Sequence, residues 1–246
     1  MKERLDVILV ERELAESREM AQRMIMSGQV LVRGVEHPKP GIKVDVEAEI
    51  ILNAPDEKFV SRGGLKLEAA LARFQINPSG WICLDVGAST GGFTDCLLQK
   101  GAIKVYAVDV GYGQLHYRLR SDPRIILLEK VNARFLSKCE IQEPVDLAVI
   151  DVSFISLRMI LPAVKPLLKT DGRVIPLIKP QFEAGRERIP KGGVIKDEKT
   201  RNEVLDELEK YFDENGWSGA GFMPSPIKGA SGNVEFLTCL MRKNAD

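Results

Sequence analysis

From Trp81 onward, short apolar runs alternate with amphipathic stretches, and this pattern limits the chain to a narrow class of folds. Ile82-Cys83-Leu84-Asp85-Val86 is the first run, and residues 104–109, 125–128, 145–151 and 173–178 repeat it. Helical spacing fills residues 91–99 and the stretch around 160–168. Runs that are apolar throughout, rather than alternating, belong to strands covered on both faces, and helices between them form the crossovers of a parallel sheet. A strongly amphipathic helix over residues 197–212 follows. Two more strands, 221–226 and 234–241, are joined by a loop rich in Gly, Pro and Ser. Open α/β sheets bind ligands beyond the carboxyl ends of their strands.

Residues 1–52 read as a separate, small α+β unit. Leu5, Val7, Ile8, Leu9 and Leu14 form one apolar stripe, and Met20, Met24 and Ile25 form another behind Ser17, a helix N-cap. Ser27-Gly28 stops that helix, and short strands follow at 29–34, 43–46 and 49–52. A unit of roughly 50 residues is marginal by itself. Polar residues around Pro55 predict a linker over 53–60, which leaves 61–246 as the second domain, entered by a helix from about Leu65 to Phe74.

Composition excludes several classes of function. Lys+Arg and Asp+Glu both number 35, so the chain is not a strongly basic polymer binder, although a local basic groove remains open to it. The four cysteines, Cys83, Cys96, Cys139 and Cys239, form no CxxC pair. They are expected to be reduced, mostly buried thiols of a cytoplasmic protein. The first residues lack a signal peptide, and no run approaches the ~18 apolar residues of a membrane span. With only His37 and His116, no histidine cluster is available for a metal.

The sharpest local signal is Leu84-Asp85-Val86-Gly87-Ala88-Ser89-Thr90-Gly91-Gly92-Phe93-Thr94, between a strand and a helix. It is not the dinucleotide fingerprint, because Ser89 stands at the second glycine position, and no Gly-Lys-Ser/Thr makes it a P-loop. Asp109 closes the next strand, about 20 residues on, where a ribose hydroxyl pair would lie. That second acid favours an S-adenosylmethionine pocket over a bare tight turn. Charged residues also stand at other strand ends. Asp151 follows 147–150, Lys179 follows 175–178, Glu235 lies in an apolar run, and Lys66 begins the helix before the sheet. Each alone could reach solvent, but four on the ligand side of one sheet suggest a site.

Val60-Ser61-Arg62-Gly63-Gly64, Gly87 to Thr94, Asp109-Val110-Gly111-Tyr112-Gly113-Gln114-Leu115, Asp151 to Leu157, Lys179-Pro180-Gln181-Phe182-Glu183 and Ser231-Gly232-Asn233-Val234-Glu235 closely resemble the TlyA ribosomal RNA methyltransferases, relatives of the FtsJ/RrmJ 2′-O-methyltransferases. Arg4-Leu5-Asp6, Leu14 to Arg18 and Ile25 to Val32 resemble the small RNA-binding domain of ribosomal protein S four. The resemblance implies a Rossmann-like S-adenosylmethionine-dependent methyltransferase. Its sheet would have seven mostly parallel strands, with a small α+β RNA-binding domain in front. It implies a catalytic set of Lys66, Asp151, Lys179 and Glu235. It implies a cofactor pocket of Asp85, Gly87, Ser89, Gly91 and Phe93 around the turn, Asp109 and Val110 at the ribose, and Asn132 and Asp151 beside adenine and methionine. RNA would meet Arg62 and Arg118 near the site and Arg4, Arg18 and Arg23 in the N-terminal unit. There the charge pattern is only compatible, since Glu11, Glu13, Glu16 and Glu19 lie among the arginines.

The implied reaction is 2′-O-methylation of a cytidine in ribosomal RNA within a ribosomal subunit, with no membrane and no metal. Lys179 would serve the attacking hydroxyl. Lys66 would either disfavour charge on Lys179 or hold a phosphate, and Asp151 and Glu235 would orient lysines and substrate. Members with two RNA targets have a longer C-terminal tail than this chain, which ends soon after Met241. The expectation is therefore 23S RNA, with 16S RNA second. A base methyltransferase, a membrane-active protein of the hemolysin type and a non-catalytic RNA-binding module are the competing readings. The loop 183–196, basic and glycine-rich, reads as a cover or an RNA contact.

Overall fold

The computed structural model describes residues 2–15, 17–26, 30–35, 38–52, 58–229 and 231–243. The chain separates into two units, Met1–Glu57 and Lys58–Asp246. The stop expected at Ser27-Gly28 and the linker residues 53–57 lie outside the described residues.

In the first unit, β1 (Lys2–Arg4) leads into α1 (Leu5–Glu11) and α2 (Arg18–Met26), followed by β2 (Val30–Val32), β3 (Lys43–Asp45) and β4 (Ile50–Leu52). β1 pairs antiparallel with β3, and β2 with β4. Ser17 caps α2 by accepting from the Met20 amide at 3.2 Å. Leu5, Ile8, Leu9, Ala21, Ile25 and Val30 make the core. Asp6 is buried beside them, and its carboxylate accepts from Arg4 Nε at 2.9 Å and Gln22 Nε2 at 2.9 Å, with Arg18 at 3.4 Å. The Arg4 hydrogen bond outweighs burial and holds Asp6 well below the usual carboxylate range. A depressed carboxylate stabilises the fold above its unfolded pKa, so this tie is lost as pH falls below that range.

The second unit opens with α3 (Gly63–Arg73). The sheet strands are β5 (Ile82–Val86), β6 (Lys104–Asp109), β7 (Ile125–Glu129), β8 (Val145–Ile150), β9 (Leu168–Ile178), β10 (Trp217–Pro224) and β11 (Phe236–Arg242). Between them lie α4 (Gly92–Gln99), α5 (Tyr117–Arg120), α6 (Leu161–Val164), α7 (Pro180–Glu183) and α8 (Glu198–Glu214). The spatial order is β10-β11-β9-β8-β5-β6-β7, and β11 alone runs against its neighbours. One core lies on each face of the sheet. The order reverses at β5, whose partners are β6 and β8, so the crevice of a topological switch point opens beyond Val86 and Ile150. Asp197 caps α8 by accepting from the Thr200 amide at 2.8 Å.

Several boundaries differ from the sequence reading, and three of them have a clear physical reason. β9 begins at Leu168 rather than at 173, because residues 169–172 bulge between two registers with β8. β10 begins at Trp217, earlier than 221, because its Ser218-Gly219-Ala220 edge is exposed and carries no apolar signal. The linker does not extend to residue 60. Phe59 is 2 % exposed in the second unit's core, and the Val60 amide donates to Asp95 in α4 at 2.8 Å.

Glycines bring α3 against α4. A Cβ on Gly92 would stand 2.2 Å from Ser61 Oγ and 2.9 Å from the Gly64 nitrogen, and one on Gly64 would stand 2.3 Å from the Phe59 ring. This close approach brings Lys66, in the first turn of α3, towards the end of β5. Gly64→Ala overpacks the Phe59 ring and is expected to cost about 1–3 kcal/mol, read as a lower melting temperature. Melting together with wild type would show that α3 can shift freely.

Candidate active site

β5 ends in a turn held to β6, where the Val108 carbonyl accepts from the Gly87 amide at 2.8 Å and the Ala88 amide at 3.0 Å. Gly87 and Gly91 lie in the left-handed region at φ +86° and +96°. A Cβ on Gly87 would stand 2.5 Å from the Asp151 carbonyl oxygen, so the turn and the end of β8 can meet only at a residue without a side chain. The Asp151 amide donates to the Val86 carbonyl at 2.9 Å, which fixes Asp151 beside the turn.

Two cavities flank this point. The larger, about 560 Å³, is walled by apolar residues such as Val108, Val131, Val152, Ile155 and Ile160, with Asp109, Val110, Gln114 and Asn132 among its lining. The smaller, about 320 Å³, is lined by Ser61, Arg62, Lys66, Phe93, Lys179 and Lys228 among others. Gly87, Ser89, Asp151 and Ser153 line both.

Lys66 Nζ lies 2.6 Å from Glu235 Oε2, and Lys179 Nζ lies 2.7 Å from Asp151 Oδ1 and 2.9 Å from Ser153 Oγ. Lys66 and Lys179 are each 8 % exposed and Glu235 is 3 % exposed, so the Lys66–Glu235 pair is largely removed from water, while the Asp151 carboxylate is half-buried and keeps contact with it. Such pairs are tolerated only with close geometry, and breaking one strands a charge. The reversal of β11 explains why Glu235 is there. Phe236 is in register with Ile178, so the entry to β11 sits beside the exit from β9 at Lys179.

The four residues expected to act together are therefore brought to one rim. Because Glu235 sits beside Lys66, the field of the Lys66 ammonium is largely offset. Its geometry fits holding substrate better than repelling charge on Lys179.

The other expected residues divide. Asp109 lines the larger cavity while its two oxygens accept from the Ser89 amide at 2.8 Å and the Gly111 amide at 2.7 Å. Asn132 Oδ1 accepts from the Arg134 amide at 3.1 Å, which leaves its NH2 for a ligand. Val110 lines the same cavity. Phe93 instead lines the smaller one, and Gly91 lines neither. A Cβ on Gly91 would strike Leu119 at 2.3 Å, so its role is packing and turn geometry.

Asp85 also lines neither cavity. It is wholly buried beneath the turn, where its Oδ2 accepts from Thr94 Oγ1 at 2.6 Å and its Oδ1 has no partner. Burial pushes its carboxyl up to about 7, against the Thr94 bond.

Arg62 borders the smaller cavity. Arg118 is exposed on α5, with its guanidinium 6.0 Å from the Tyr117 ring centre. Arg4 and Arg18 are occupied with Asp6, and the Arg23 side chain lies outside the described residues. The loop 183–196, expected to be a cover or an RNA contact, is tied down at two points. Arg188 grips Glu207 at 2.6 and 2.9 Å, and the Ile195 amide donates to Asn233 Oδ1 at 3.0 Å.

Among the lining residues that sequence reasoning did not assign to the site, three carry chemistry of their own. Ser153 and Phe154 follow Asp151 in a loop, and Lys228 borders the smaller cavity from the β10–β11 loop. Lys228 was marked only by the following Gly229, whose Cβ would meet Glu235 Oε1 at 2.3 Å. Among the described residues, no group of three or more His, Cys, Asp or Glu side chains could hold a metal ion.

Residues 59–242 match the FtsJ-like methyltransferase family, and residues 3–50 match the S4 domain. A Bacillus subtilis protein named as an rRNA methyltransferase, YqxC, is 47 % identical over 96 % of this chain and 84 % of its own length. The Mycobacterium tuberculosis 16S/23S rRNA (cytidine-2′-O)-methyltransferase TlyA is 44 % identical over 96 % of this chain and 89 % of its own. A solved structure from Streptococcus thermophilus, named as a hemolysin, superposes with a TM-score of 0.77 at 44 % identity, covering 99 % of this chain and 90 % of that one.

Asp85 gives a pH signature. A carboxyl raised by burial holds more protons in the folded state than in the unfolded one, so its contribution to stability falls as pH rises from the ordinary carboxylate value towards about 7. Asp85→Asn removes that slope. Its melting temperature is expected to gain on wild type between pH 4 and 7 in paired thermal scans, and parallel curves would refute the assignment.

Proposed function

The chain belongs to the TlyA group of the FtsJ-like methyltransferase family, with an S4 domain ahead of the catalytic one, and from that premise we propose that it transfers the methyl group of S-adenosylmethionine to the 2′-hydroxyl of a cytidine in 23S ribosomal RNA. The observation that carries the reading is the shared lining of the two cavities by Gly87, Ser89, Asp151 and Ser153. A molecule in the larger cavity abuts whatever fills the smaller, lysine-lined one.

The larger cavity fits the donor. Asp109 keeps lone pairs for ribose hydroxyls beyond its two backbone partners, Asn132 offers an NH2 group, and the apolar walls suit an adenine. The missing Cβ of Gly87 leaves the backbone open at the junction of the cavities. When bound, S-adenosylmethionine supplies an electrophilic methyl group on a positively charged sulfur.

The chain's own task is to align the hydroxyl and relieve it of its proton. Asp151 and Ser153 hold Lys179 Nζ in place. The amine in its neutral form accepts the hydroxyl proton, and the ammonium so formed is stabilised by Asp151. Lys66, fixed by Glu235, orients the sugar. Arg62 and Lys228, which border the smaller cavity and have no carboxylate partner among the described residues, take the flanking phosphates. Phe154, a residue 90 % exposed, stands at the edge of the larger cavity with its ring tilted against Phe182, and it offers its open side to a base.

RNA substrate places the protein's work in the cytoplasm, with ribosomal subunits. The hemolysin name carried by the Streptococcus relative is not adopted. Two lysine–carboxylate pairs that set both amines against one cavity suit group transfer, and lysis has no use for them. No described helix is long and apolar enough to cross a membrane.

Incubation with S-adenosylmethionine and each ribosomal subunit, followed by mass analysis of nucleosides, is expected to yield 2′-O-methylcytidine from the large subunit. A ring-methylated base would refute the reading, as would liposome leakage without transfer. Lys179→Ala is expected to lower the rate by about 10²–10⁴-fold while S-adenosylmethionine still binds. Lys179→Arg keeps the charge but not the base and should fail similarly. Lys228→Ala should weaken RNA binding and reduce the slope of log K against log salt by about 0.7–0.9, the value of one phosphate contact. An unchanged slope would remove Lys228 from the RNA path.

A further inference from the structure

The loop that leaves β8 at Asp151 and the segment that leaves β9 at Lys179 are tied together at three successive points along the chain. At the first, Lys179 Nζ reaches Asp151 and Ser153. At the second, the Phe154 and Phe182 rings lie 4.9 Å apart between centroids. At the third, the Glu183 carboxylate accepts from Ser156 Oγ at 2.6 Å and from the Leu157 amide at 2.8 Å.

Phe154 stands in the arch between the first tie and the last, at φ +63°. A bulky residue in the left-handed region costs about 1–3 kcal/mol, and it persists only where its surroundings over-determine it. Glu183 is itself 8 % exposed, although it lines neither cavity. A buried carboxylate is costly unless hydrogen-bonded, and desolvation raises its pKa against the pull of the Leu157 and Ser156 bonds. A costly group therefore sits where a strained arch needs an anchor.

We propose that Glu183 is a positioning residue whose buried carboxylate holds residues 153–157 in an arch, so that the Phe154 ring is presented to the base of the acceptor nucleotide. Glu183 touches no reacting atom and acts through Phe154. The proposal rests on the methyl-transfer reading of the same site.

The test is a double-mutant cycle on kcat/KM for ribosomal RNA in the full-length protein, using Glu183→Ala, Phe154→Ala and the double variant. Glu183→Ala removes two hydrogen bonds to a charged group, so a loss of about tenfold or more is expected. The loss should fall on KM for RNA and leave S-adenosylmethionine affinity unchanged. Glu183→Gln, which keeps an acceptor for the Leu157 amide, should recover most of it. The double variant should be no worse than Phe154→Ala alone, because residues acting through one contact are not additive.

Losses that multiply, or Glu183→Ala behaving as wild type, would overturn the proposal. If Glu183→Ala does not fold, Ser156→Ala removes one of its two donors and takes its place in the cycle. Amide hydrogen exchange over residues 152–157 should quicken in Glu183→Ala and be restored in Glu183→Gln, whichever RNA is used, and unchanged exchange would overturn the tie. Absence of transfer by the wild-type protein would instead overturn the functional reading, so the two failures are distinguishable.

Discussion

At Gly87 the backbones leaving β5 and β8 run so close that one methyl group would strike the Asp151 carbonyl. The rest of the rim follows from that approach. It fixes Asp151 at the junction of two cavities, and Asp151 in turn fixes Lys179, which reaches Ser153. A glycine in the left-handed region is one of the few ways a chain can make such a turn without strain. The glycines of α3 and α4 make the same kind of approach on the other side and deliver Lys66.

The two lysine–carboxylate pairs are better explained by chemistry than by stability. Burying such a pair costs desolvation that the attraction roughly offsets, and apolar residues of the same size would often serve a fold as well. What the pairs provide is a set of amines at fixed positions beside one cavity. Asp85 is a different case. Its carboxylate lies below the turn with one oxygen unpartnered, bound to Thr94 and out of reach of either cavity.

Much of this was legible in the residues. Continuous apolar runs gave the parallel strands, since a strand covered on both faces has no polar side to show. Asp151, Lys179 and Glu235 stood out because charges at the ends of apolar strands are out of place, and Lys66 because it begins the helix that leads into the sheet. Other features were hidden for equally physical reasons. The first part of β10 is an exposed edge of small residues and has no pattern to read. Phe154, Glu183 and Lys228 matter through contacts between loops far apart in sequence. A lone aromatic or acid in a loop carries no local sign of that. The arginines of the first unit were only compatible with a nucleic-acid face, and Arg4 and Arg18 meet Asp6, Arg33 meets Glu49, and Arg12 donates to the Ala48 and Val46 carbonyls. A charge count cannot show which surface cations already have a partner.

The reversed strand β11 has a consequence for how the site is assembled. Lys66 and Glu235 are 169 positions apart, and the second stands just before β11, the last of the seven strands in chain order. The elements up to β8 already carry the glycine turn and Asp109, but they leave Lys66 without its carboxylate. The pair is complete only once β11 has docked beside β9, so the amine is set in place by the same pairing that puts an antiparallel strand into the sheet.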